Sequence, residues 1–283
     1  MEWLLLLCLA NLIGGLATHD LSKPVGQFVL PAELLEISGI TDLDGNTVAC
    51  LQDEDATIYI VDLHTGTITE RHPFGPPGDM EGLTRVGEDL YALRSDGLIY
   101  LLQKQNGRYT AVDNFRVQLD HRNIEGLGYD ERSGCVLLAP KDVLKGNPSL
   151  RDQRSIFAFD PATRKLLPGP VLTYSLKDII RQAEAEGVKL PRRTNHKGKA
   201  VDPLKLRMSS IAVEPVSGNY FVLSAVDRTL LVLDRDGALV SLNLLDADLL
   251  PKPEGITFLA NGDMLISTEG KNGPPRLVRY ARL

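Results

Sequence analysis

The chain has 283 residues, with 31 Lys+Arg against 37 Asp+Glu and a formal net charge of -6. This length, with 43% hydrophobic residues, fits one globular domain with a full core. The acidic balance argues against nucleic acid as a general partner, and the 3 cysteines and 5 histidines show no metal-ligand spacing. P-loop and Gly-rich dinucleotide fingerprints are missing too.

The first predicted element, Trp3 to Ala17, is an apolar run containing Leu4-Leu5-Leu6-Leu7. It is short for a membrane span and suits a signal-peptide core over residues 1–17, with Gly15-Leu16-Ala17 offering small residues for cleavage. The expected location is therefore secreted or periplasmic, or membrane-associated through this segment. Cys8 follows Leu7, and a lipid-anchor cysteine needs a small residue there. Gln27 to Leu30 reads as a strand standing alone before any repeat.

Five related motifs then recur: Ile37-Ser38-Gly39-Ile40, Met80-Glu81-Gly82-Leu83, Ile124-Glu125-Gly126-Leu127, Met208-Ser209-Ser210-Ile211 and Pro253-Glu254-Gly255-Ile256. Their successive spacings from Ser38 are 43, 44, 84 and 45 residues, and a period near 44 marks a repeat architecture. After each motif comes a second apolar run, such as Val48 to Leu51 or Met264 to Ser267, and then a third, such as Ile58 to Val61 or Leu277 to Tyr280. Turn signals such as Asp44-Gly45-Asn46 and Asn261-Gly262-Asp263 separate them, so the runs read as hairpins in series. Thr67 to His72, Tyr109 to Leu119, Gly169 to Ser175 and Leu239 to Leu245 supply a fourth strand to four units. The last unit stops after three, and Gln27 to Leu30 is the strand that closes it. This predicts an all-β, five-bladed β-propeller over residues 24–283, shut by an N-terminal strand. Six blades is the alternative, because 84 is nearly twice 42. Against it, the long interval holds one set of strands and an insertion.

That insertion, about 176–207, opens on a helical stretch, Leu176 to Glu186, and continues as a basic segment. One reading is a solvated surface excursion. The other is an anion-binding lid carried by Arg192, Arg193, Lys197 and Lys199. Cys50 and Cys135 fall in second strands of non-adjacent blades and are expected as buried free thiols.

In a propeller the first strand of every blade lines the axis, so Glu81, Glu125 and Glu254 converge, with Ser38 and Ser209 at the two remaining positions. Converging carboxylates repel unless a cation sits among them, and an all-oxygen set suits Ca²⁺ rather than zinc. Asp53, Asp96 and Glu269, at the ends of second strands, form a candidate outer ring of ligands. The alternative makes Glu-Gly a blade-start device, with Lys141 and Arg94 balancing the charge. No catalytic residue is picked out, the small-molecule or protein partner is open, and a monomer is expected.

The motifs in this order, together with Asp79-Met80-Glu81-Gly82-Leu83, Asn123 through Asp130 and Ser267-Thr268-Glu269-Gly270, resemble the SdiA-regulated family of bacterial β-propellers. The resemblance runs from about Pro24 to the end and departs from the family in the basic insertion. It implies a five-bladed propeller, distantly similar to NHL repeats, with a calcium site and an exported or membrane-associated location. Similar Glu-Gly propellers are calcium-dependent lactonase-like and phytase-like hydrolases, so two functions follow: a calcium-binding module that presents a face to a ligand, or a calcium-dependent lactonase- or phosphoesterase-like hydrolase.

Overall fold

A computed structural model describes residues 18–144, 150–270 and 273–283. The expected signal peptide at 1–17 lies outside the described residues. Strand β1 (Gly26–Val29) is followed by a first blade of β2 (Ile37–Asp42), β3 (Thr47–Gln52), β4 (Thr57–Asp62) and β5 (Ile68–Pro73). The second holds β6 (Met80–Val86), β7 (Asp89–Arg94), β8 (Leu98–Gln105) and β9 (Arg108–Arg116). The third holds β10 (Ile124–Asp130), β11 (Cys135–Pro140) and β12 (Gln153–Asp160), whose outer edge is shared between β13 (Lys165–Leu166) and β14 (Leu172–Ser175). Helix α1 (Leu176–Ala185) and a hairpin of β15 (Arg193–Thr194) and β16 (Ala200–Val201) follow. The fourth blade holds β17 (Ser210–Val213), β18 (Tyr220–Ser224), β19 (Thr229–Leu233) and β20 (Leu239–Leu244). The last contains β21 (Pro253–Phe258), β22 (Met264–Thr268) and β23 (Arg276–Tyr280).

The chain is a five-bladed propeller. Each inner strand packs against the next, and β21 returns to β2. Closure is as the sequence implies: β1 lies antiparallel to β23 with Gln27 opposite Val278, so the last sheet has no open edge on that side. The strap begins earlier than Pro24. His19 is buried, its ring packs against Phe221 and Phe258, and its Nε2 lies 2.9 Å from the Gly262 carbonyl oxygen.

Five apolar clusters fill the spaces between neighbouring blades. Ile40, Leu83, Leu127, Ile211 and Ile256, the last residue of each motif, supply one side chain to each. The motif glycines set the spacing. A Cβ on Gly82 would sit 2.8 Å from the Glu125 carbonyl oxygen, and on Gly128, just past the third motif, one would sit 2.5 Å from that of Ile211. Only a bare backbone lets the inner strands come this close.

The insertion is not a solvated excursion over its whole length. Ser175 caps α1 by accepting from the Asp178 amide at 3.1 Å, and Leu176, Ile179, Ile180 and Ala183 recur at helical spacing on its buried face. With Leu204 and Leu206 they join the core between the third and fourth blades. The outer face of α1, the hairpin and its flanks are exposed. Cys50 is a buried free thiol as expected, whereas Cys135 is half-buried because it opens its strand. No helix among the described residues is long and apolar enough to cross a membrane.

Candidate functional site: the carboxylate ring at the channel mouth

The inner strands of four blades carry a β-bulge at the motif. Pairing skips from Ile37 to Gly39, Met80 to Gly82, Ile124 to Gly126 and Pro253 to Ile256. A bulge leaves one residue unpaired and re-aims its side chain. The skipped positions include Ser38, Glu81, Glu125 and Glu254, so bulging is what turns these side chains towards a common mouth. Glu81 feels the charges of Glu125 and Glu254, and Lys141 feels all three glutamates.

Each member meets a different fate. Ser38 donates to the Met80 carbonyl oxygen at 2.8 Å and Ser209 to that of Pro253 at 3.1 Å, so both serines clip one inner strand to the next. Glu125, 2% exposed, accepts from Lys141 Nζ at 2.6 Å and from Asn123 Nδ2 at 2.9 Å, both through Oε1. Lys252 Nζ lies 2.5 Å from Glu269 Oε1 and 3.1 Å from Glu254 Oε1, the second contact without hydrogen-bond alignment. Glu81 has no ion pair among the described residues. Burial, then the neighbouring charges of Glu125 and Asp79, push its pKa up to about 9. Burial likewise pushes Glu254 to about 7, and burial with Glu36 and Glu269 pushes Asp53 to about 6. Desolvation pulls the Lys252 ammonium down, but Glu269 and Glu254 more than offset it, and its pKa is raised.

Two of the expected electrostatic roles change. Arg94 does not balance the ring: its guanidinium forks onto Asp96 at 2.8 and 3.0 Å. That pairing, with Arg116 at 2.9 Å, also takes Asp96 out of the proposed outer ring and holds its carboxyl well below the usual range. Lys252 is the cation the sequence reading missed. Its signal was local, since it stands two residues before Glu254. Asp53 and Glu269 do join the electrostatics of the mouth. Of the expected lid residues, Arg192, Lys197 and Lys199 are exposed, and Arg193 turns inward.

The donor type suits a hard cation, and Asp53 Oδ1, Glu125 Oε2 and Glu254 Oε1 are buried without a hydrogen-bond partner. The gathering does not form a ready calcium cage. Among the described residues no three Asp, Glu, His or Cys side chains come close enough to hold one ion, and two lysine ammonium groups stand in the ring. The other end of the same strands opens into a cavity of about 400 Å³ reached by Thr41, Thr84 and Thr257. Its rim charges neutralise one another, Asp42 with Arg85 at 2.7 Å, Asp130 with Arg235 at 2.6 Å and Glu214 with Arg282 at 3.1 Å.

No protein-family model matches the chain, and no curated protein matches it. Solved structures do. A glutaminyl cyclase from Myxococcus xanthus superposes with a TM-score of 0.60 at 16% identity, over 92% of this chain and 95% of that one. The PQQ-bound aldose sugar dehydrogenase from Streptomyces coelicolor gives 0.55 at 12% identity, over 91% and 97%. At such identities the likeness is one of fold.

Proposed function

We propose that the protein is a ligand-binding propeller whose channel mouth takes a cationic centre, either Ca²⁺ or the ammonium group of a small molecule. The observation that carries this reading is the set of buried carboxylate oxygens without a hydrogen-bond partner around the mouth, on Asp53, Glu125 and Glu254, the last with only the unaligned Lys252 ammonium beside it. An unsatisfied buried acceptor costs about 1–3 kcal/mol, and a cation would recover that cost at several atoms together. For Ca²⁺ to sit there, Lys141 and Lys252 must swing aside, and Glu81, Glu125 and Glu254 would supply ligands, with Asp53 and Glu269 beside them. This site, the export expected for residues 1–17 and the motif order together support membership of the SdiA-regulated group.

Calorimetry on chelator-treated protein tests the reading, with CaCl₂, MgCl₂ and putrescine as separate titrants. Binding of one titrant, lost in Glu125→Gln and accompanied by proton release, is the expected result. No heat and no thermal shift from any of the three would sink it.

A second reading, a hydrolase of lactones or phosphate esters, is favoured by one observation. Glu81 keeps its proton at neutral pH beside the Glu125–Lys141 pair, and carboxyls of one type held at different protonation states are the raw material of acid catalysis. Turnover of an aryl ester or lactone panel that disappears in Glu81→Gln would support it.

A further inference from the structure

We propose a second binding site, for an amphiphilic anion, under the insertion between the third and fourth blades. A cavity of about 590 Å³ lies there, within the size range of small-molecule sites. Its walls are mainly apolar, supplied by Val143, Leu144, Leu176, Val201 and Leu204. Leu176 and Leu204 are anchored in the core cluster below, so these walls are rigid parts of the fold.

The charged side chains around it are one-sided. Arg151, Arg154, Arg193, Lys205 and Arg207 line it against two carboxylates, Asp142 and Asp202, in a chain that is acidic overall. Arg154 is the decisive residue. It is 5% exposed, and its guanidinium donates to four backbone carbonyls, those of Arg151, Gln153, Lys205 and Leu206. Among the described residues no carboxylate lies within ion-pair reach of it. Carbonyls satisfy its N–H groups but do not cancel its charge, and Asp152 and Asp227 act on it only from beyond ion-pair distance, so a buried positive charge without an ion pair among the described residues stands in the cavity wall.

Two further arginines keep donors free. Arg207 Nη1 donates to the Lys141 carbonyl oxygen at 3.1 Å, its only hydrogen bond to the described protein. Arg193 Nη1 lies 3.6 Å from Asp227 Oδ1, beyond hydrogen-bond distance. Asp227 is already engaged by the Lys205 and Leu206 amides and by Ser224 Oγ. An apolar chamber with free guanidinium donors and a net positive wall fits a carboxylate or phosphate head on an apolar body. A bare inorganic anion would leave the apolar walls unused, and a neutral lipid would leave the charge unmet.

Full-length protein is titrated calorimetrically with decanoate, decyl phosphate, decanol, decyltrimethylammonium and inorganic phosphate, and with anionic vesicles by flotation. Decanoate and decyl phosphate are expected to bind at least about tenfold more tightly than decanol, the cationic amphiphile or phosphate alone. Arg193→Gln and Arg207→Gln are each expected to weaken decanoate about fivefold with an unchanged circular dichroism spectrum. The double variant Arg192→Gln, Lys197→Gln, on the exposed stretch, is expected to leave it unchanged. Equal affinity for decanol, equal affinity for inorganic phosphate, binding to vesicles without binding of the monomeric amphiphile, or indifference of both arginine variants each overturns the proposal.

Discussion

Replacing Glu81 with Gln tests the electrostatics of the mouth most directly. The folded-state pKa of Glu81 is raised from 4.5 to about 9, so the folded protein holds a proton that the unfolded chain releases across that window. The unfolded state then binds fewer protons, and stability falls as pH rises from 4.5 towards 9. For an isolated group shifted this far, the accumulated loss is about 1.4 kcal/mol at about pH 5.5 and about 4 kcal/mol at about pH 7.5. Glu81 is half-buried and interacts with Glu125, so solvent and relaxation trim these figures, and a drop of about 2 kcal/mol between the two pH values is the expectation. Asp53 and Glu254, also raised, act in the same direction between pH 4 and 7. Gln cannot ionise. In chelator, Glu81→Gln should therefore stabilise the protein by about 2–3 kcal/mol at about pH 7.5 and by less than about 1 kcal/mol at about pH 5.5. Urea melts at the two pH values, with and without CaCl₂, provide the measurement. A cation at the mouth should restore the wild type at the higher pH and do nothing for the variant. Equal stability of the two proteins at both pH values, in chelator, would show that Glu81 ionises freely and that the mouth is not a charged site.

Other parts of the molecule give independent tests. Gly128→Ala drives a methyl to 2.5 Å from the Ile211 carbonyl oxygen and should cost at least about 2 kcal/mol in a urea melt, whereas Gly45→Ala, with nothing within 4 Å, should be near neutral. Removing Thr18 through Val29 exposes the β23 edge, and size-exclusion chromatography should show association of the shortened chain against an expected monomer for the intact one. Burial pushes the Cys50 thiol up, so it should resist an aromatic disulfide reagent in the native state while Cys135 reacts. Burial lowers the pKa of His19 from 6.5, so its contribution is complete above that value and is lost as pH falls through it. His19→Phe should flatten the melting temperature across that range.

The architecture was legible because a repeat reports itself several times over. Five motifs, the hairpin runs after each and a final unit one strand short were enough to place every blade and to name the strand that closes the ring. The glycine at the third position of four of the motifs carried meaning too, since its missing Cβ is what lets neighbouring inner strands approach. The insertion was harder. Its composition is polar, but Leu176, Ile179, Ile180 and Ala183 form a stripe visible only once the helix is phased, and Leu204 and Leu206 are isolated apolar residues in a basic run. The buried charge of Arg154 left no trace in sequence at all, because four carbonyls from two separate stretches of chain surround it.

The site shows why equivalence by repeat is not equivalence by chemistry. Glu81, Glu125 and Glu254 share one position and one bulge, yet their surroundings come from outside the motif. In the third blade the residue after Pro140 is a lysine that reaches Glu125, and in the last the lysine just ahead of the motif, two residues before Glu254, reaches that glutamate. In the second blade the cation at the end of the middle strand, Arg94, has Asp96 two residues away and turns to it. A local fork of two charge-assisted hydrogen bonds wins over a longer reach to a glutamate in a half-buried mouth. Among the described residues Glu81 is thereby left as the motif glutamate without an ion pair, and its burial makes ionisation costly. The asymmetry singles out the second blade, and it makes Asp96→Asn an informative change. Freed from Asp96, Arg94 can turn towards Glu81, which should lower the pKa of that carboxyl, weaken the dependence of stability on pH and compete with any added cation.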